Sequence, residues 1–186
     1  MNEYQKEQLH AWQQIEAALA KMPPSAINAM RNEIKGYLRF REEVEHFLKS
    51  YFNDQCTSSC YQNNRSACCS KDGILTFWAD LVIDAITADP QHIEMMTAAV
   101  ESPVFDGKCI YLKADGCCWS VRPLVCIMFL CDSAQQTVFP AEPAALQQWE
   151  DLWSRYFSPL HFQLLLYYLQ LQRLKREILM LGLMIS

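Results

Sequence analysis

All nine cysteines of this 186-residue chain fall between Cys56 and Cys131, and the 55 residues on either side contain none. A segment with that many thiols must crosslink, ligate a metal, carry redox chemistry or bury them as small hydrophobes. A chain of this length buries roughly two-thirds of the surface its unfolded form exposes, so it does not need crosslinks merely to stay folded. The cysteine count is also odd. Metal or redox chemistry is therefore the expectation, ahead of a disulfide framework of the kind found in small secreted proteins.

Composition narrows the function classes. With 51% hydrophobic and 20% charged residues, five glycines and eight prolines, the chain has the make-up of an ordered globular protein without low-complexity tracts. A formal charge of −5 and a pI near 5.4 offer no bulk attraction for nucleic acid or an anionic membrane surface. The N-terminal "MNEYQKEQLHAWQQIEAALAKM" lacks the basic start, apolar run and cleavage site of a secretory signal, so a cytoplasmic, reducing location is expected. The segment from Leu160 to Ser186 is long and apolar enough to suggest a span. Gln163, Gln170, Gln172, Arg173, Lys175, Arg176 and Glu177 interrupt it, which favours a helix that is buried or docks a protein partner.

The flanks read as helices. Leu9, Trp12, Ile15 and Leu19 recur at helical spacing over residues 3 to 20, and "PPSA" then breaks the pattern and offers Ser25 as an N-cap. A second helix is predicted from Ala26 to Phe52, with Ile27, Met30, Ile34, Tyr37, Leu38, Val44, Phe47, Leu48 and Tyr51 inward and Arg41, Glu42 and Glu43 outward. Residues 53 to 72 are polar and aperiodic, a loop carrying Cys56, Cys60, Cys68 and Cys69. A helix from Thr76 ends at Pro90, and a short one covers Gln91 to Val100. "CIYL" reads as a short extended piece, "KADG" as a turn and "PLVCIMFL" as a helical or a buried apolar turn. A connector with Pro140 and Pro143 then leads to a helix from Ala144 to Phe157, and Pro159 opens the last long helix. The expected architecture is a single mostly α domain over residues 1–186 of about six helices. Helices over 3–52 and 144–185 flank the cysteine-rich segment 56–131, whose loops bind a metal centre.

A closed metal site needs about four thiolates converging on zinc or on the irons of a cluster. The first loop supplies Cys56-x3-Cys60 and Cys68-Cys69; the second supplies Cys109, Cys117-Cys118, Cys126 and Cys131. Neither run alone has the spacing of a zinc finger or a ferredoxin. Cys131, beside Phe129 and Leu130, reads as a packing residue, which leaves Cys56, Cys60, Cys68, Cys69, Cys109, Cys117, Cys118 and Cys126 as candidate ligands.

The ordered string resembles the bacterial and archaeal CxxCxxCC family of zinc- or iron-chelating proteins, to which the cluster-bearing part of flagellin lysine methylases is similar. Cys56, Cys60 and Cys68-Cys69 look like its first group, and Leu75 to Asp80 like the helix start that follows. Cys109-Ile110-Tyr111-Leu112 with Asp115-Gly116-Cys117 looks like its second element, and Arg122-Pro123-Leu124-Val125-Cys126 like its ending. The likeness covers residues 56 to 131. It departs from the family in a longer gap between Cys60 and Cys68, a doublet at Cys117-Cys118, a shorter span from there to Arg122-Pro123, and Ile127 after Cys126. The resemblance implies a thiolate-held centre, a 4Fe–4S cluster ahead of zinc, with a redox, sensing or assembly role. A zinc-stabilised interaction module is the alternative, and a component of a flagellin-lysine-methylase-like enzyme a second one.

Other residues carry weaker signals. Arg122, between the cysteine doublet and Pro123, is the candidate cofactor-binding side chain, able to donate to cluster sulfurs or bind an anionic substrate group. Asp80 and Asp84 share a helical face and could serve as carboxylates that bind substrate or support the metal ligands, but a solvated face is the expectation. His10, His46, His92 and His161 are scattered, Trp149 and Trp153 read as core, and no short nucleotide, hydrolase or metalloprotease motif is present. No catalytic residue is identified.

Overall fold

The computed structural model describes residues 1–56, 62, 76, 78–103, 109–113, 116–157 and 176. It is mostly helical: α1 (Glu3–Lys21), α2 (Pro24–Glu33), α3 (Lys35–Tyr51), α4 (Trp78–Thr87) and α5 (Pro90–Glu101) precede a minimal hairpin of β1 (Leu112–Lys113) and β2 (Gly116–Cys117), and α6 (Leu124–Met128), α7 (Asp132–Ala141) and α8 (Pro143–Phe157) follow it. The strands pair antiparallel, Leu112 opposite Cys117 and Lys113 opposite Gly116. Among the described residues no helix is long and apolar enough to cross a membrane. The first cysteine loop beyond Cys56 and the helix predicted from Pro159 lie outside the described residues.

Local chemistry sets the helix ends. Asn2 caps α1 by accepting from the Gln5 N–H at 2.8 Å while Gln5 accepts the Asn2 N–H at 2.9 Å, a reciprocal capping box. The start of α2 corrects the expected cap: Pro23 occupies the N-cap and Pro24 the first turn, so fixed φ rather than the Ser25 hydroxyl begins the helix. The long helix expected over 26–52 is divided at Ile34, whose ψ of 4° leaves the helical range just ahead of Gly36, a poor helix former. Asp89 caps α5 by accepting from the Gln91 N–H at 2.9 Å, with Pro90 in its first turn. The predicted proline connector is instead α7. Pro140 falls in its last turn, and the Glu142 N–H still closes on Val138 O at 2.8 Å.

Two apolar clusters share α3. The first gathers Trp12 and Ile15 of α1, Leu81, Val82 and Ile86 of α4, Met96 and Val100 of α5, Tyr111, Trp119 and Ile127, with Tyr37, Phe40 and Val44 from α3. The second is built on Phe47, Phe52, Leu130, Val138 and Leu152, with Cys131 packed against it as expected. Trp149 stacks on Phe47 with ring centroids 5.2 Å apart. Trp153, expected in the core, is instead 38% exposed, so only half of the predicted tryptophan pair is interior.

The buried face of α1 holds glutamines as well as hydrophobes. Gln5 Nε2 donates to Val100 O at 2.7 Å and Ser102 O at 3.0 Å, closing the C-terminal end of α5. The Tyr111 hydroxyl donates to Gln8 Oε1 at 2.7 Å and accepts from Trp12 Nε1 at 3.2 Å. These bonds join α1 to the cysteine-bearing hairpin region through the first cluster.

Asp80 and Asp84 overturn the expected solvated face: they are 3% and 0% exposed. Every residue of α4 from Ala79 to Ile86 is buried, so the helix has no solvent side for the carboxylates to occupy. Asp84 bonds His92 Nε2 and accepts the Val121 N–H at 2.7 Å, tying α4 to α5 and to the segment before α6. His92 is itself buried and satisfied. Asp84→Ala leaves an imidazole and an amide buried without their acceptor. It is expected to cost about 3 kcal/mol in a urea melt; a loss below about 1 kcal/mol would show that the network is dispensable.

Candidate functional site

The hairpin and α6 bring four thiols together. Cys109 stands just before the turn into β1, its carbonyl accepting the Leu112 N–H at 3.1 Å. Cys117 ends β2 and pairs with Leu112. The Cys118 N–H donates to Tyr111 O at 3.0 Å, and the Cys126 N–H to Pro123 O at 2.9 Å in the first turn of α6. All four are half-buried, and they lie within electrostatic reach of one another: negative charge on Cys117, Cys126 or Cys118 raises the pKa of Cys109, and charge on Cys117 raises that of Cys126.

Burial is the main force on these thiols. It pushes Cys109 up to about 12 and Cys126 up to about 11, from an ordinary 9.0, and raises Cys117 as well. Backbone donors oppose it. The Tyr111 N–H donates to the Cys109 sulfur and the Trp119 N–H to the Cys117 sulfur, each two residues downstream, and each favours the thiolate. Tyr4 of α1 adjoins the cluster. Its hydroxyl lies 3.4 Å from Thr76 Oγ1, and its pKa is pushed up to about 12, first by burial and then by Cys109 and Cys126.

Two arginines stand beside the thiols. Arg122, the predicted anion binder, makes a two-pronged ion pair in which Nε and Nη2 donate to the two Glu45 carboxylate oxygens at 2.8 Å each. Its positive charge still lowers the pKa values of Cys117 and Cys126. Arg41, expected on the outer face of its helix, is 3% exposed. Its Nη2 donates to Arg122 O and its guanidinium lies 5.7 Å from the centre of the Tyr37 ring. Nε and Nη1 are buried without a hydrogen-bond partner. The buried Asp80 carboxylate adds negative charge near both Arg41 and Cys126.

Of the eight predicted ligands, then, Cys109, Cys117, Cys118 and Cys126 lie in the same region, Cys109 within electrostatic reach of the other three. Cys56 is exposed where the chain continues past α3, its N–H on Phe52 O at 2.8 Å, and Cys60, Cys68 and Cys69 lie outside the described residues. Cys131 belongs to the second apolar cluster. Among the described residues the cysteines are free thiols, and no group of three or more His, Cys, Asp or Glu side chains is arranged to hold a metal ion. Sequence reasoning missed Arg41, although Tyr37, Arg41, Val44 and Leu48 follow the four-three-four spacing of one helical face, and it placed Asp80, a weighed candidate, on the solvated side.

No protein-family model matches this chain, and neither a curated protein nor a solved structure matches it.

The raised thiols make stability depend on alkaline pH in the metal-free protein. Below pH 9 both folded and unfolded states keep these protons, and the stabilisation is complete. Above it the unfolded chain ionises while folded Cys109 and Cys126 stay protonated until about 12 and 11, so stability falls with rising pH. Denaturant melts of the reduced, metal-free chain should lose on the order of 1 kcal/mol per pH unit between pH 9 and 10. A flat profile would contradict the burial of these thiols.

Proposed function

We propose that this protein binds a metal centre through cysteine thiolates of its two cysteine segments, a 4Fe–4S cluster ahead of a zinc ion, in a redox, sensing or assembly role. The observation that carries the reading is the convergence of Cys109, Cys117, Cys118 and Cys126 from the hairpin and α6, with backbone N–H groups on two of the sulfurs. Thiolates are ligands of choice for zinc and for iron–sulfur clusters. The chemistry of the donor set supports this reading: the sulfurs are half-buried, two accept backbone hydrogen bonds of the kind that stabilise a ligating sulfur, and two arginines lie within electrostatic reach.

Within this reading Cys109, Cys126 and one of Cys117 and Cys118 are ligands from the second segment. Adjacent cysteines rarely both ligate one ion, so one of Cys117 and Cys118, which both pack against the first apolar cluster, is a packing residue. The first segment, Cys56, Cys60 and Cys68-Cys69, supplies the remaining thiolate or thiolates. Tyr4 and Thr76 help to cover the site from the side of α1, and Glu45 holds Arg122 beside Cys117 and Cys126. A bound cluster would contribute one-electron transfer. The ordered cysteine string, similar to that of the zinc- or iron-chelating CxxCxxCC family, supports the same reading from the sequence side.

The test is elemental analysis of protein purified without oxygen, together with its visible spectrum. The expected result is brown protein with about four irons and four acid-labile sulfides per chain, and Cys126→Ser should remove most of both. One zinc without sulfide would replace the cluster by a zinc site and shift the role to a structural or interaction module. Metal-free wild-type protein, or full metal content in Cys126→Ser, would refute the assignment of these ligands.

A further inference from the structure

Arg41 is the least expected charged group in the molecule. It lies in the middle of α3, 3% exposed, between Tyr37 and Val44 on the face that meets the first apolar cluster. One nitrogen is anchored: Nη2 donates to the carbonyl of Arg122, the residue before the Pro123 turn whose helix carries Cys126. The anchor places the guanidinium against the segment that delivers this thiol. Nε and Nη1 find no acceptor. Buried N–H donors are nearly always satisfied, and a charged one left unpaired is more costly still.

The neighbouring groups do not remove the deficit. Glu45 carries a carboxylate near enough to act on Arg41, but both its oxygens accept from Arg122. Asp80 balances part of the charge at a distance without accepting from Nε or Nη1. A neutral thiol is a weak acceptor. A thiolate, or a sulfide of a cluster, is anionic and accepts strongly, and a zinc or cluster held by cysteines alone carries net negative charge. The orphan donors therefore match the loaded state of the site and not its protonated, empty state.

We infer that Arg41 is the built-in counter-ion of the thiolate centre, a positioning residue whose Nε and Nη1 donate to the sulfur atoms of the loaded site. The inference rests on the metal-binding reading above and adds to it the group that neutralises the centre. Arg122, the sequence's candidate for this part, is held by Glu45 and supports the site through its backbone carbonyl and its field.

The experiment is a zinc(II) titration of the reduced, metal-free full-length chain against a chromophoric chelator, in wild type, Arg41→Met and Arg41→Lys. Melting of each metal-free form runs alongside. Groups that hydrogen-bond metal ligands typically change affinity by 10- to 100-fold when removed. Arg41→Met is expected to weaken zinc binding by about that factor, and Arg41→Lys, which keeps the charge but not the planar fork, by less. A purely structural arginine would lower the melting temperature of the metal-free chain and leave zinc affinity untouched. Affinity within about twofold of wild type in a folded Arg41→Met, or in Arg41→Lys should the methionine variant fail to fold, overturns the inference while the metal site stands. Failure of the wild-type chain itself to bind zinc, with no iron found on anaerobic purification, removes the metal reading and this inference together.

Discussion

The Asp84 carboxylate is the interaction on which the organisation of the cysteine region depends. It has no exposure to solvent, and burial raises its pKa; the Val121 N–H and the His92 imidazole hold it in place against that penalty. Its partners come from different parts of the chain, His92 from α5 and Val121 from the link between the hairpin and α6. Hydrophobic packing would let that link slide, because apolar contact is non-directional. Hydrogen bonds to one buried carboxylate do not, so the sequence from Cys117 to Arg122 is fixed relative to α4, and with it the start of the helix that carries Cys126.

The same economy recurs along α1. Gln5 and Gln8 sit on the face that faces the core, where hydrophobes would be expected, and each spends its amide on a distant partner: the end of α5 in one case, the Tyr111 hydroxyl in the other. Trp12 closes the second of these networks by donating to the same hydroxyl. Tyr111 is two residues from Cys109, and Trp119, which packs edge-on to Tyr111 at 4.9 Å, is two residues from Cys117. The aromatic residues thus bind the turns that present the thiols to the apolar core, while their backbone N–H groups donate to the sulfurs. Packing and thiol positioning come from the same two residues.

Much of this was legible in the sequence. The helical repeat in residues 3 to 20, the prolines at 23, 24, 90 and 143, and the short "PLVCIMFL" element locate α1, α2, α5, α8 and α6, because proline and apolar period act locally, whereas of "CIYL", read as extended, only Leu112 lies in a strand. The break at Ile34 had a local mark in Gly36 that the long apolar period outweighed, and the helix through Pro140 was not legible because a proline in the last turn does not end it there. The polar interior was misread for a different reason. Reading charge as a marker of the outer face placed Arg41, Asp80 and Asp84 in solvent, although the phase of Tyr37, Arg41, Val44 and Leu48 already puts the arginine inside. Buried charge is rare enough that periodicity alone does not override the assumption, and its partners are distant in the chain.

Arg41, Asp80 and the thiols form one electrostatic problem. With the thiols protonated, the region encloses a guanidinium with two unused donors beside one carboxylate, and sulfurs whose ionisation burial opposes. Each of these is unfavourable taken singly. On the proposed reading, exchanging the thiol protons for a cation would turn weak acceptors into strong ones, with Cys126 within the field of Arg41, and the ion's own charge would offset the burial that holds the thiols neutral. Glu45 engages both prongs of the second arginine, and the unsatisfied donors are those of Arg41. On the proposed reading, these unfavourable features would be relieved by an anionic assembly of thiolates. As a finished apolar core the arrangement would be inconsistent, because hydrophobes of the same volume would fill α3 and α4 at that point without the cost of two buried charges.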